Sequence, residues 1–484
     1  MLYRKPLEAL REERDATGAM PRLLGFRSLT ALSLSGLIGT GIFIMTGMAA
    51  HLFAGPALIV SFLIAGVACI AAALCYAEFA ALVPFAGSAY TYAYVTLGEA
   101  FAWLVGWNLL LQYGLAAASV AQGWSHYFQS LIGSVGIHLP VLFTGAPLDL
   151  NATGRLAPTG ALLDLPALLA VVALTAIVIR GLRLSLTFNN VLLGIKLAVI
   201  AFVVLVGARF IHPGNWTPFA PYGWSGISLF GHTVAGRTGP GGAPVGVLAG
   251  AALVFYAYMG FDAITNYTEE TRRPQRNLPL AIIASVLIAT LLYVAVTAVV
   301  TGMVRYDRID LNAPISEAFR QAGLPWAQFL VALGATIGIT SVLFAILMGF
   351  PRILLAIGRD GLISRRFFTA LHPRYQTPWK SSLVICVNVG LLAALMPLQV
   401  LMNLVIMGTL FGYVLISAAV LVMRRTHAGM QRPFRAPGGP FIPLLSIVGC
   451  GGLMLTLPPI HWLHLGVWLL AGAILYLLYR KTAQ

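Results

Sequence analysis

Leu34-Ser-Gly-Leu-Ile-Gly-Thr-Gly-Ile-Phe43 is the stretch that decides how this chain folds. It lies in an apolar run long enough to cross a bilayer, yet it holds three glycines within six residues. Each glycine weakens a helix by about 1 kcal/mol relative to alanine. Small residues can instead serve close helix packing, but Gly36, Gly39 and Gly41 are too tightly spaced to lie along one helix face. The spacing predicts an unwound segment in the middle of the first span. A second interruption is expected in Val254-Phe-Tyr-Ala-Tyr-Met-Gly-Phe-Asp-Ala-Ile-Thr-Asn-Tyr-Thr-Glu-Glu270, where Asp262 follows Gly260 inside hydrocarbon. A carboxylate at that depth needs a partner or a cavity. It can cap the helix where it resumes or carry a proton, and both roles fit a broken helix.

The chain around these segments is 484 residues long, 59% hydrophobic and only 9% charged, with a mean hydropathy of +0.87. Soluble domains carry about 25% charged residues. Apolar runs of membrane-crossing length recur throughout, which predicts an all-α integral membrane protein. Twelve spans are expected, over 28–50, 56–83, 91–127, 161–180, 186–208, 246–268, 278–303, 327–358, 380–396, 400–423, 440–457 and 462–479. The two interruptions fall in the first and sixth spans, five apart. Two five-span halves, 28–208 and 246–423, inserted in opposite orientations would bring them together at the midplane, as in inverted-repeat transporters. Residues 1–27 then form a cytoplasmic segment, and 440–479 supply the last two spans.

The net charge of +15 would suggest nucleic acid in a soluble protein. Here it follows the bilayer instead. With both termini on one side, 23 of the 30 Lys and Arg residues fall on that side and six on the other. Basic loops mark the cytoplasm, so both termini are expected there. The remaining residue is Lys196, in Asn190-Val-Leu-Leu-Gly-Ile-Lys-Leu-Ala-Val-Ile-Ala-Phe-Val-Val-Leu-Val-Gly207. An ammonium at the centre of a spanning helix costs on the order of 2.5–3.5 kcal/mol. A chain that keeps such a charge has a use for it, and loading and unloading a proton is the simplest.

Between the broken helices, the N–H groups of Gly39, Thr40 and Gly41 start a half-helix whose positive end suits a carboxylate. The freed carbonyls of Ile38, Phe255, Ala257 and Tyr258 suit an ammonium. A site offering both matches an α-amino acid zwitterion. Other chemistry is weakly supported. Cys69, Cys75, Cys386 and Cys450 fall in spans without Cys-x-x-Cys spacing, as small core residues do. His461 and His464 lack a third ligand in the sequence nearby. The glycine-rich 231–244 stretch follows no predicted strand and ends in no Gly-Lys-Ser/Thr, so nucleotide binding is not expected. No enzyme motif is present, and no cofactor is implied.

At these residues the chain resembles the amino acid–polyamine–organocation superfamily, within it the bacterial relatives of the cationic amino acid transporters. The matching segments include Gly36-Leu-Ile-Gly-Thr-Gly-Ile-Phe43, Cys75-Tyr-Ala-Glu-Phe79, Phe85-Ala-Gly-Ser-Ala-Tyr-Thr-Tyr92 and Gly98-Glu-Ala-Phe-Ala-Trp103. Asn189-Asn-Val191 with Gly194-Ile-Lys196, Ala257-Tyr-Met-Gly-Phe-Asp-Ala263 and Glu269-Glu-Thr-Arg-Arg-Pro-Gln-Arg-Asn-Leu-Pro279 continue the series. Gly358-Arg-Asp-Gly361 and Arg432-Pro-Phe-Arg-Ala-Pro437 complete it. The resemblance implies the leucine-transporter fold, ten core helices plus two, and secondary amino acid transport in a bacterial inner membrane, often coupled to protons. It implies that Ile38, Thr40 and Gly41 hold the substrate's main chain, and that Phe255, Ala257 and Tyr258 take its amino group. Tyr256 falls where many relatives place a gating aromatic. Lys196 falls where several relatives have a lysine in place of sodium, its ammonium reaching carbonyls near Gly36 and, on the eighth span, Thr340 and Ser341.

Thr265-Asn-Tyr-Thr268 departs from this branch and is closer to the light-subunit exchangers. Two transport readings therefore stand: a proton-coupled amino acid symporter, and an exchanger in which Lys196 is a fixed structural charge. A sensor or channel in the same fold is a third. Glu78 and Glu99 are expected at the cytoplasmic face, as inner-gate or anchoring residues or as solvated acids. Neutral, small-to-medium substrates are favoured because acids in the pocket are few. Oligomeric state is left open.

Overall fold

A computed structural model describes residues 24–82, 88–150, 156–180, 186–229, 232–239, 244–268, 271–375, 377–426, 429 and 432–483. Its principal helices are α1 (Phe26–Leu37), α2 (Leu58–Leu82), α3 (Glu99–Gly133), α4 (Leu165–Ile179), α5 (Leu186–Gly207) and α6 (Val247–Val254). They continue with α7 (Pro274–Met303), α8 (Pro325–Arg359), α9 (Trp379–Leu395), α10 (Leu398–Thr426), α11 (Phe441–Leu455) and α12 (Pro459–Ala483). Among the described residues, eight helical runs are long and apolar enough to cross a bilayer, and α4, α9 and α11 are shorter apolar helices.

The packing partners show an internal pattern. α2 packs on α7, α3 on α8 and α4 on α9, pairs that are five helices apart. The α1–α7 contact has its counterpart in α6–α2, and α3–α10 in α8–α5. Likewise α3–α9 is matched by α8–α4. Shifting every helix by five converts one set of contacts into the other. α11 and α12 stand outside this exchange, α11 against α2 and α10, and α12 against α3 and α10.

Several element boundaries differ from the expectation. Residues 91–96 belong to a separate helix, Ser88–Thr96, because Gly98 adopts φ 99° and turns the chain before α3 begins. α3 in turn runs on to Gly133. The long connections contain short antiparallel pairs that no strand prediction anticipates: Leu148–Leu150 with Leu156–Pro158, Ile227–Leu229 with His232–Ala235, and Arg237–Thr238 with Pro244–Val245. Alternation over two to four residues is too short a pattern to stand out in sequence. Residues 85–87 of one matching motif, the acidic pair Glu269–Glu270 and residues 1–23 lie outside the described residues.

At one end of α2 a buried ion pair ties the bundle together. Glu78 is 1% exposed. Arg424 of α10 grips it with two nitrogens, Nε to Oε1 at 3.0 Å and Nη2 to Oε2 at 2.5 Å. The Ala436 N–H donates to Oε2 at 2.9 Å, and Arg432 Nε stands 3.6 Å from Oε1. Arg424 also donates to the Gly439 and Ala436 carbonyls. Glu78 is therefore an anchor for the α10–α11 connection and not a solvated acid. Glu78→Ala leaves two guanidinium groups without their carboxylate, and removing one partner of a buried pair costs about 3–5 kcal/mol. The expected result is a clear drop in the thermal midpoint of the detergent-solubilised protein, with Glu78→Gln intermediate. An unchanged midpoint in Glu78→Ala would contradict this account.

Candidate substrate and proton site

α1 stops where the glycines predict. Ile38 turns to extended geometry at φ −81°, ψ 97°, and a π-helical stretch, Gly41–Met45, resumes the helix. In the sixth segment α6 gives way to a 3₁₀ turn, Phe255–Tyr258; Met259 is extended, Gly260 adopts φ 109°, and Phe261–Tyr267 continues as 3₁₀ helix. Residues at a helix start or end leave N–H or C=O groups without intrahelical partners. Both interruptions expose such groups in the buried centre of the protein.

The two interruptions meet. A Cβ on Gly36 would stand 3.4 Å from the Gly260 carbonyl oxygen. One on Gly41 would stand 2.4 Å from Ala257 Cα. The glycines thus serve two purposes, unwinding the helix and letting the two backbones touch. Sequence spacing suggested the first; only the tertiary contact reveals the second.

Lys196, fully buried on α5, reaches across to the last turn of α1 and the unwound residue that follows it. Its Nζ donates to the Ser35 carbonyl at 2.9 Å and to the Ile38 carbonyl at 3.0 Å. Gly338 of α8 lies against its stem, where a Cβ would come within 3.1 Å of Lys196 Cγ. Among the described residues no carboxylate pairs with it. Two donors on two carbonyls is what a neutral amine can also supply; an ammonium has three. The expected contacts with Thr340 and Ser341 are not made. The Thr340 hydroxyl donates to the Thr336 carbonyl at 2.8 Å and accepts from Trp124 Nε1 at 2.8 Å. Ser341 donates to the Gly338 carbonyl at 2.9 Å. Helical serine and threonine back-bond to the preceding turn, and here that local bond satisfies both hydroxyls.

Tyr256 is 6% exposed, and its Oη lies 3.1 Å from Thr40 Oγ1 and 2.8 Å from Ser119 Oγ of α3. It therefore bridges both interruptions to α3. The chain already uses several carbonyls assigned to an ammonium. Ile38 accepts from Lys196, Ala257 from Tyr293 Oη at 2.7 Å, and Tyr258 from Cys69 Sγ at 4.0 Å. Each retains a second lone pair. Asp262 stands in the first turn after Gly260, which holds the N-cap position expected of the aspartate. Its neighbour Phe261 packs on Tyr76 and Tyr413, and Asp262 itself lies near enough to Tyr76, Tyr92 and Tyr413 to act on them electrostatically, whereas Lys196 sits on the α1 carbonyls.

The sequence matches the amino acid permease family over residues 24–474. The chain belongs to that family, within the amino acid–polyamine–organocation superfamily. It is 40% identical to the methylthioribose transporter of Bacillus subtilis (strain 168), covering 99% of this chain and 98% of that protein. It is 39% identical to the branched-chain amino acid permease BcaP of the same organism, over 99% of this chain and 97% of that one. It is 36% identical to mouse cationic amino acid transporter 4 over 90% of this chain, but only 64% of the mouse protein is covered. The family and these relatives are transporters, not enzymes.

In this permease a residue that no motif marks holds the centre together. Tyr293 of α7 is fully buried, and its Oη lies 2.9 Å from the Leu37 carbonyl and 2.7 Å from the Ala257 carbonyl. One hydroxyl thus shares its proton between both broken helices. A tyrosine in an apolar span reads as packing in sequence; its role is visible only once α7 lies behind both breaks. Tyr127 of α3 holds the resumed first helix, donating to the Phe43 carbonyl at 2.7 Å. Tyr293→Phe leaves two buried carbonyls short of a donor, at about 1–3 kcal/mol. A lower thermal midpoint with a matching loss of uptake is expected; wild-type values for both would remove Tyr293 from the site.

Proposed function

We propose that this permease is a proton-coupled amino acid symporter of twelve spans, both termini cytoplasmic, built from two inverted five-helix halves. The exchange of packing partners on a five-helix shift supports the inverted halves. The observation that carries the transport reading is the Lys196 amine on the Ser35 and Ile38 carbonyls, beside the point where α1 and α6 break. Substrate carboxylate binds the N–H groups of Gly39, Thr40 and Gly41. Its amino group takes free lone pairs on Ile38, Phe255, Ala257 and Tyr258. Tyr256 closes over the bound molecule. Protonated Lys196 grips the unwound carbonyls; losing the proton weakens that grip and lets the inner half of α1 move. Alternating access then follows from one protonation change. If Lys196 stays charged throughout, the same contacts serve an exchanger.

Two observations favour keeping a neutral sugar thioether as a second substrate class. One is the name of the methylthioribose transporter. The other is that Ile38, Ala257 and Tyr258 already accept bonds within the protein. Uptake into proteoliposomes with an amino acid panel and methylthioribose, with and without an inward proton gradient, tests all of these. Gradient-driven accumulation of an amino acid supports the proposal. Accumulation only against preloaded internal substrate makes the protein an exchanger, and uptake of methylthioribose alone overturns the amino acid assignment.

A further inference from the structure

A second polar centre lies away from the broken helices, where α3, α4 and α9 converge. Asp164 is fully buried immediately before α4. Its Oδ1 is well provided for: the Ala167 N–H donates to it at 3.0 Å as a helix cap, and Ser125 Oγ donates at 2.6 Å. Its Oδ2 is buried and has no partner among the described residues. One turn before Ser125 on the same face of α3 stands Gln122, 2% exposed. Gln122 Nε2 donates to the Ala393 and Met396 carbonyls at the end of α9, at 2.8 and 2.7 Å. The Asp164 N–H donates to the Ala394 carbonyl between them, at 3.0 Å. Gln122 Oε1 is also buried and without a partner. Among the described residues, one small cluster thus holds two orphaned acceptors and no donor for either.

We infer that Asp164 holds a proton, as a neutral carboxylic acid whose Oδ2–H serves Gln122 Oε1. A single proton turns one orphan into a donor and satisfies the other. An ionised carboxylate would instead bury a charge with one bare oxygen, a costly arrangement. A metal cation would need several more oxygen ligands than these two. Among the described residues no opposing charge acts on Asp164 to favour ionisation. On α3, His126 is beside Ser125, but the charges acting on it are those of Asp310 and Asp149. On α9, Lys380 and Cys386 lie more than a turn from Ala393, α8 carries Arg352 and Arg359 only toward its far end, and α4 carries no charged side chain. The Val141–Phe143 turn, joined to Asp164 through Thr144, has none either. This proton is structural: it fastens α3, α4 and α9 to one another and is separate from the one assigned to Lys196, so it stands or falls independently of the transport reading.

The test is infrared difference spectroscopy of the purified protein at neutral pH, wild type against Asp164→Asn. The expected result is a protonated-carboxyl carbonyl band present in wild type and lost in the variant. Its absence from the difference spectrum overturns the inference. Gln122→Leu keeps the aspartate and gives a second readout, a shift of that band as the acceptor is removed; superimposable spectra would again refute it. Stability supplies a third. The folded form holds a proton that the unfolded chain releases at neutral pH, so the folded-to-unfolded ratio falls by about tenfold per pH unit as pH rises, until the folded form also ionises. Asp164→Asn, whose amide can donate where the acid did, should lose that slope and stay as stable as wild type at neutral pH. If it is instead destabilised as much as Asp164→Ala, the carboxylate charge is required and the proposal fails.

Discussion

Replacing Lys196 by methionine should abolish proton-driven accumulation, lowering gradient-dependent uptake by at least tenfold, while the protein still purifies as a folded species. Methionine fills the volume left by the lysine stem against Gly338, but it offers no donor. The Ser35 and Ile38 carbonyls lose bonds that Nζ makes at 2.9 and 3.0 Å. Hydrogen bonds to a charged group are worth about 1.5–3 kcal/mol each. That energy disappears at the break after α1, so under the proposed mechanism nothing remains there to couple the segment to protonation. Lys196→Arg tests the other half of the idea. Arginine keeps the charge and cannot release it under ordinary conditions, so uptake should also fail. Measured side by side, the two variants separate the readings. Gradient-driven uptake by Lys196→Met at the wild-type rate would eliminate Lys196 as the coupling group. Loss of net uptake with intact counterflow would leave it as the coupling group of a transporter that can still exchange.

The second large effect is expected at Gly41. A Cβ there would sit 2.4 Å from Ala257 Cα and 2.7 Å from Ala257 Cβ. Backbone cannot rotate away as a side-chain tip can, so Gly41→Ala must push the first and sixth segments apart. Small displacements at a binding centre can cost about a hundredfold in rate. At least a tenfold loss of uptake is expected, mainly through weaker substrate binding. Ala257→Gly in the same molecule removes the 2.7 Å clash but not the 2.4 Å one, so rescue should be partial. Gly194→Ala is the control, because nothing lies within 4 Å of its added carbon. Normal substrate affinity in Gly41→Ala would mean that the two segments do not meet where substrate binds.

Much of the fold is legible in the chain. Glycines packed into residues 36–41 cannot continue a helix, and the break falls there. Gly260 followed by Asp262 marks the second break, although the cap position itself goes to the glycine, whose positive φ no other residue adopts as readily. Lys196 stands out because a charge in an apolar run is energetically anomalous, and it does reach the first-helix carbonyls near Gly36. Its expected reach to Thr340 and Ser341 fails for a local reason, since both hydroxyls bond within α8.

What composition and spacing determine by themselves is therefore what depends on solvent and on local backbone. Hydrocarbon demands apolar helices, and glycine fixes where helices unwind. What the tertiary structure decides is which satisfied group faces which orphan. Tyr293 bridging Leu37 and Ala257, Glu78 clamped by Arg424, and Asp164 held by Ser125 join residues more than thirty positions apart. Single residues in apolar runs carry no periodic signature, because each polar group is needed once, at a place set only when distant helices pack.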